Sequence, residues 1–187
     1  MQSTRTFLYL IVSSSLCVVQ VQAEVPFLPG EELTYSLSWG LIPVGSATMR
    51  VLPNKIFNGE SCQVLQFKVQ TNSFADAFYK VRTTVESIVD QNFKKSLYYK
   101  KSQREGSTVR EIEVEFDYKL MKCRYYEGDQ IRSEISIPGE AFDPLAIAYY
   151  FRFNQLAPNF TKSLPTCDGR RYREIIVTTG KRERVSV

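Results

Sequence analysis

The chain predicts a mainly β fold: a curved antiparallel meander sheet, barrel-like and incompletely closed, with one short buried helix. Three observations predict it. Apolar and polar residues alternate with period two through successive runs after Gly30. Turn punctuation separates the runs, at Gly40, Pro43 and Gly45, at Gly106, and at "EGD", Glu127 to Asp129. One segment, Leu145 to Phe153, is apolar almost all round and is opened by Asp-Pro, which marks a short buried helix.

The N-terminal segment is read first as a leader. Arg5 supplies a positive start, Phe7 to Val19 is mostly apolar and uncharged, and "VQA" at Val21 to Ala23 has small-residue spacing. These features predict a signal peptide over residues 1–23 with cleavage after Ala23, and an exported protein. The apolar part, about a dozen residues, is short of the ~20 a spanning helix needs, so no membrane span is expected in the mature chain. An uncleaved anchor is the competing reading. A lipid on Cys17 is disfavoured because Leu16 stands where a small residue is wanted.

Residues 24–187 are then expected to form a single antiparallel β domain of about 164 residues, enough for one core. In "EELTYSLSW", Leu33, Tyr35, Leu37 and Trp39 share one face. Trp39, the only tryptophan, is expected to close one end of the core from that face. The next strand turns Ala47, Met49 and Val51 inward. A third aligns Leu65, Phe67 and Val69, and a fourth aligns Val81, Val85 and Val89. Between them "NSFADAFYK" reads as an irregular crossing or one helical turn.

A hairpin with Glu105-Gly106 at its tip would pair Lys100 with Glu111, Tyr98 with Glu113, Lys94 with Asp117, and Phe93 with Tyr118. A bulged turn would shift that register by one. The basic cluster Lys94, Lys95, Lys100, Lys101 and Arg104 is either a solvated sheet face or a site for anionic headgroups or glycans. Ile131, Ile135 and Ile137 continue the meander. Asp143 and Pro144 suit the N-cap and first position of the helix, which is expected against the concave side of the sheet or at one end of it. "APNFTKSLPTCDGRR" reads as a loop, and "RRYREIIVTTG" as a strand with another beginning after Gly180.

The chemistry is bounded by absence. There is no histidine, so a Ser-His-Asp triad, a Cys-His dyad and any histidine metal site are excluded. No glycine-rich phosphate loop and no paired-cysteine motif occur, so no cofactor or metal is expected. A net charge of +4 does not suggest a nucleic-acid partner. Cys62, Cys123 and Cys167 either include one disulfide, whose pairing the sequence leaves open, or are three buried thiols.

"FLPGEELTYSLSWGLIPVGSATM" and "FDPLAIAYYFR" together resemble the two signatures of exported bacterial proteins known as domain of unknown function 3108. The first matches an aromatic-Pro-Gly-Glu start, a strand ending in Trp-Gly, and a Val-Gly-small-Ala second strand. The second matches an Asp-Pro-Leu opening with paired tyrosines and an arginine. The resemblance covers about Pro26 to Gly180 and implies an antiparallel, barrel-like fold in the periplasm or cell envelope. It implies no activity, substrate or catalytic residue. Members run on through further strands after the segment matching "VTTGKRERV", so missing C-terminal strands and incomplete closure are expected here.

The function expected from the residues is non-enzymatic. An exported envelope protein would bind a hydrophobic or glycan ligand, or serve as a scaffold, with Tyr35, Trp39, Tyr149, Tyr150 and Arg152 lining the site. The competing reading of those aromatics is that they fill the core. Lipid, glycan or another envelope protein are the partners envisaged. An interaction module using an open sheet edge at Arg173 to Val187 is the alternative. A histidine-free hydrolase would have to build on Asp143, which reads better as a helix cap.

Overall fold

The computed structural model describes residues 28–154 and 156–184. The leader, its cleavage point after Ala23 and the last three residues lie outside them. Eight strands form one antiparallel meander in which each pairs with the next: β1 (Glu32–Trp39), β2 (Ile42–Phe57), β3 (Glu60–Thr71), β4 (Val81–Asp90), β5 (Ser96–Glu105), β6 (Thr108–Asp117), β7 (Lys122–Glu127) and β8 (Gln130–Ser136). β1 and β8 do not pair with each other, so the sheet stays open. A single turn, α1 (Ser73–Asp76), joins β3 to β4. The helix α2 (Pro144–Phe153) follows the meander, and a separate hairpin of β9 (Thr161–Cys167) and β10 (Tyr172–Thr178) completes the described chain.

Alternation places the core on one face of the sheet. Val51, Leu65, Val85 and Val89 of β2 to β4 meet Leu145, Ala146, Tyr149 and Tyr150 of α2, with Phe93, Phe142 and Leu164 around them. A second buried cluster joins Val114, Phe116, Cys123 and Tyr125 of β6 and β7 to Ile137, Ala141 and Cys167. Burying a side chain of this size contributes roughly 1.5–3 kcal/mol, so these two clusters, rather than the surface ion pairs, hold α2 and the hairpin in place.

Asp143 starts α2 as expected. Its Oδ1 accepts from Leu145 N at 2.8 Å and Ala146 N at 3.0 Å, satisfying two amides that have no partner within the helix. Pro144 sits in the first turn, where its missing N–H costs nothing. The helix is buried along Leu145, Ala146, Tyr149 and Tyr150, while Ala148 is exposed. The approach to the helix is stitched to both sheets. Ser96 N of β5 donates to Ala141 O, and Cys167 N of β9 donates to Phe142 O, each at 2.9 Å.

Four expectations are corrected. Trp39 does not close the core: it is 83% exposed. Between Leu37 and Ser38 the β1–β2 register shifts, leaving Val44 as an extra residue on β2. Such a bulge bends and twists the strand, and beyond it the hairpin tip stands clear of the core.

The β5–β6 hairpin turns at Gly106-Ser107, one residue later than expected. Lys100 therefore faces Glu113 and Tyr98 faces Glu115, a shift of two that keeps these paired side chains on their expected face, whereas Ser96, expected beside them, lies beyond a bulge at Leu97 and is buried. Gly106 takes φ +57 at the first turn position, a conformation glycine adopts freely and Glu105 would resist.

Phe93 and Lys94 do not belong to β5. They lie in a turn whose amides are capped by Asp90, with Lys94 N to Oδ1 at 2.6 Å, so neither pairs with Tyr118 or Asp117.

Finally, the segment read as a loop contains β9. Pro165 interrupts its donor pattern, yet the Pro165 carbonyl still accepts from Phe142 N at 2.9 Å. After β10, residues 179–184 form no strand.

Candidate functional site

Among the described residues, the three most exposed large apolar side chains gather with three half-exposed ones where the β1–β2 tip meets α1. Leu41 at the tip is fully exposed, Trp39 and Phe78 are largely so, and Ile42, Phe74 and Tyr79 are about half exposed. Between them lies an open cleft of about 360 Å³, lined by Trp39, Ile42, Val44, Thr71, Phe74, Ala75, Phe78 and Tyr79. Contiguous exposed apolar surface of this kind marks a contact site more often than stray surface hydrophobes do. The volume falls at the small end of ligand pockets, roughly 300–1,000 Å³.

A polar knot beneath the cleft holds these residues outward. Asn72 caps α1 by accepting from Ala75 N at 2.9 Å, and its Nδ2 donates to Pro43 O at 2.7 Å, tying α1 to the hairpin tip. Asp76 receives both Arg82 nitrogens, Nη2 at 2.6 Å and Nη1 at 3.0 Å. That guanidinium first, and the Thr71 hydroxyl second, hold the Asp76 carboxyl below its ordinary range. The Thr71 hydroxyl donates to Asp76 at 2.5 Å and accepts from Val81 N at 2.9 Å, so it is already occupied. With the polar groups satisfied inward, Phe74 and Phe78 pack edge to face at 5.5 Å on the outer side. Tyr79 lies against the β5–β6 turn, where a Cβ on Gly106 would come within 2.9 Å of its ring.

The five residues expected to line one site are dispersed. Trp39 alone lines the cleft. Tyr35 is half exposed on β1. Tyr149 is 1% exposed, donates to Arg50 O at 3.1 Å, and burial pushes its hydroxyl up to about 12. Tyr150 is buried against Phe142 and accepts from Lys162. Arg152 grips Glu31 with two nitrogens, at 2.6 and 3.0 Å, and lies over the Tyr149 ring. This pair ties the end of α2 to the start of β1.

Sequence reasoning missed Phe74, Phe78 and Tyr79, although "NSFADAFYK" places two phenylalanines four apart, the spacing that brings side chains together on a helical turn.

Asp143 lies apart from the cleft. Beyond its capping bonds, its Oδ2 accepts from the Ser96 hydroxyl at 2.6 Å and from the Ser87 hydroxyl. All three groups are 0% exposed, so no substrate atom reaches them in this conformation. Burial, opposed by the two serines and two amides, raises the Asp143 pKa. The arrangement is that of a structural cap.

In the basic cluster, Lys100 pairs with Glu113 at 2.8 Å, and Lys95 lies 3.4 Å from Glu140 and over the Tyr118 ring. Among the described residues no group of three or more cysteine or carboxylate side chains is placed to hold a metal ion, and no helix is long and apolar enough to cross a membrane.

No curated protein and no solved structure matches the chain. A family model does match, over residues 34–187, which contain the cleft, α2 and the open meander from Thr34 on. The chain therefore belongs to the family described as Protein of unknown function (DUF3108).

Proposed function

We propose that this protein is an exported, non-catalytic envelope protein that binds a lipid acyl chain or similar apolar tail in the Trp39–Phe78 cleft. The observation that carries this reading is a rigidly backed cleft whose exposed lining is mostly aromatic and aliphatic surface, its Thr71 hydroxyl already hydrogen-bonded and its other side-chain polar groups confined to the Trp39 N–H and the Tyr79 hydroxyl. A glycan needs many polar partners for its hydroxyls, and beyond the hydrogen-bonded Thr71 this lining has only the Trp39 N–H and the Tyr79 hydroxyl to offer. An acyl chain asks only for apolar contact, at roughly 0.8 kcal/mol per buried CH₂. The leader-like residues 1–23 support the export part of the proposal.

Trp39 makes the test direct, because it is the only tryptophan in the chain. Brominated fatty acid titrated into the protein should quench its emission saturably. Phe78→Ser should weaken the apparent affinity about tenfold, equivalent to ~1.4 kcal/mol. Quenching that does not saturate, or that is unchanged by Phe78→Ser, overturns the reading.

A second reading is supported by β10, whose outer edge pairs with no strand among the described residues and whose Ile176 is 73% exposed. A partner strand could add there. Native mass spectrometry separates the two: retained lipid mass supports the cleft, and a stable second chain supports the edge.

A further inference from the structure

The second buried cluster contains two cysteines from separate sheets. Cys123 lies within β7, opposite Phe116 on one side and Ile135 on the other. Cys167 ends β9 opposite Tyr172. Both are 0% exposed and pack within the same buried cluster. We propose that Cys123 and Cys167 form an intrachain disulfide when the chain meets an external disulfide, stapling the β9–β10 hairpin to β7, while Cys62 remains a thiol.

The backbone around Cys167 fixes the approach. Cys167 N donates to Phe142 O at 2.9 Å, holding the end of β9 in place. Gly169, at φ +86, presses the following loop onto β6 and β7: a Cβ there would lie 2.9 Å from both Tyr125 Cβ and Val114 Cγ2. Only glycine permits that closeness in that conformation. Main chain on both sides of Cys167 is thus pinned against the β6–β7 surface that carries Cys123, and a disulfide requires such a close, fixed approach.

Cys62 is placed differently. It sits on β3 opposite Asp90 and Lys55, outside this cluster, and its thiol donates to Glu60 O at 3.4 Å.

The exchange balances as follows. The Cys167 thiolate attacks one sulfur of an external disulfide RS–SR, which breaks and releases RS⁻. The Cys123 thiol then gives up its proton and attacks the Cys167 sulfur of the mixed disulfide, expelling the second RS⁻. Two cysteine thiols lose two electrons, and RS–SR becomes two RSH by taking those electrons and the two protons. Cys167 is the better first attacker. The Gly169 N–H donates to its sulfur at 3.4 Å, which favours the thiolate there. Because both sulfurs are sealed, exchange proceeds through a local opening of the hairpin.

The test incubates the reduced full chain with oxidised glutathione, alkylates free thiols in denaturant, and maps peptides by mass. The expected result is a Cys123 peptide joined to a Cys167 peptide, with Cys62 alkylated. A melting temperature that rises on oxidation and returns on reduction should accompany it. A link that includes Cys62, a stable glutathione adduct on either partner, or alkylation at all three positions overturns the proposal. Cys167→Ala should abolish the link. If that variant does not fold, the wild-type peptide map decides alone.

Discussion

Asp143 and Trp39 show how differently two singled-out residues can stand. The Asp143 carboxylate holds two serine hydroxyls and two helix amides in a site closed to water. Removing it strands those donors, at roughly 1–3 kcal/mol for unsatisfied groups on top of about 1 kcal/mol for the cap. Asp143→Ala should therefore lower urea-melt stability by roughly 3 kcal/mol. Trp39 is exposed beyond a bulge, and Trp39→Ala should move the same melt by less than about 0.5 kcal/mol.

The sign of the charge effect distinguishes the aspartate further. Burial raises the folded pKa above the unfolded 3.8, so bearing the charge costs stability at neutral pH, and that cost fades as pH falls through the folded value. Asn, an uncharged cap, should consequently be tolerated far better than Ala. Equal melts for Asp143→Ala and wild type would show that the cap is dispensable. The capping role could be read from "FDPL" alone; the two serines could not, because they come from strands far away in sequence.

At the scale of elements, α1 is the piece whose state sets the cleft. It is a single turn with no buried side chain, so packing does not hold it. The Asp76 carboxylate does, through Arg82 and Thr71. Because the folded Asp76 pKa is depressed below 3.8, its stabilisation is fully present above that pH and is lost as pH falls through the lower folded value. Trp39 emission should therefore change in an acid step below pH 3.8. Asp76→Asn should carry the altered emission already at neutral pH and lack the step. An identical acid profile in Asp76→Asn would assign the step to other carboxylates.

Much at this scale was legible. The inward faces of β2 to β4 followed from alternation, and α2 followed from Asp-Pro and an apolar run. From Tyr98 onward the β5–β6 faces were right although the register was not, because charge and apolar pairings repeat every two residues and a slip of two preserves both; before it, the bulge at Leu97 turns Ser96 inward. β9 was not legible, since a strand with few apolar residues and an internal proline resembles a loop until its carbonyls find Phe142.

On the scale of the whole molecule, a sheet that does not close must cover its apolar face by other means. Here α2 packs on β3 and β4, and the β9–β10 hairpin packs on α2 and β7. Incomplete closure was foreseen from the family resemblance, but the hairpin that compensates for it was not. The cleft escaped notice for a related reason. A bulge that no periodicity marks, and a helical turn that was foreseen as one reading of "NSFADAFYK" but not connected to the hairpin tip, bring Trp39 to Phe78.

This architecture implies a gradient of local stability. Strands β3 and β4 are paired on both sides and buried under α2, so their amides should exchange only through near-global unfolding. Among the described residues β1 and β10 each pair on one side only, and β10 carries exposed Ile175 and Ile176. Their amides should exchange by local opening, several orders of magnitude faster, since each 1.4 kcal/mol is tenfold in the opening equilibrium. Hydrogen exchange read by mass spectrometry under native conditions tests this ordering strand by strand. Protection in β10 equal to that in β4 would mean that its outer edge is covered in solution, and the open-edge architecture would have to be abandoned.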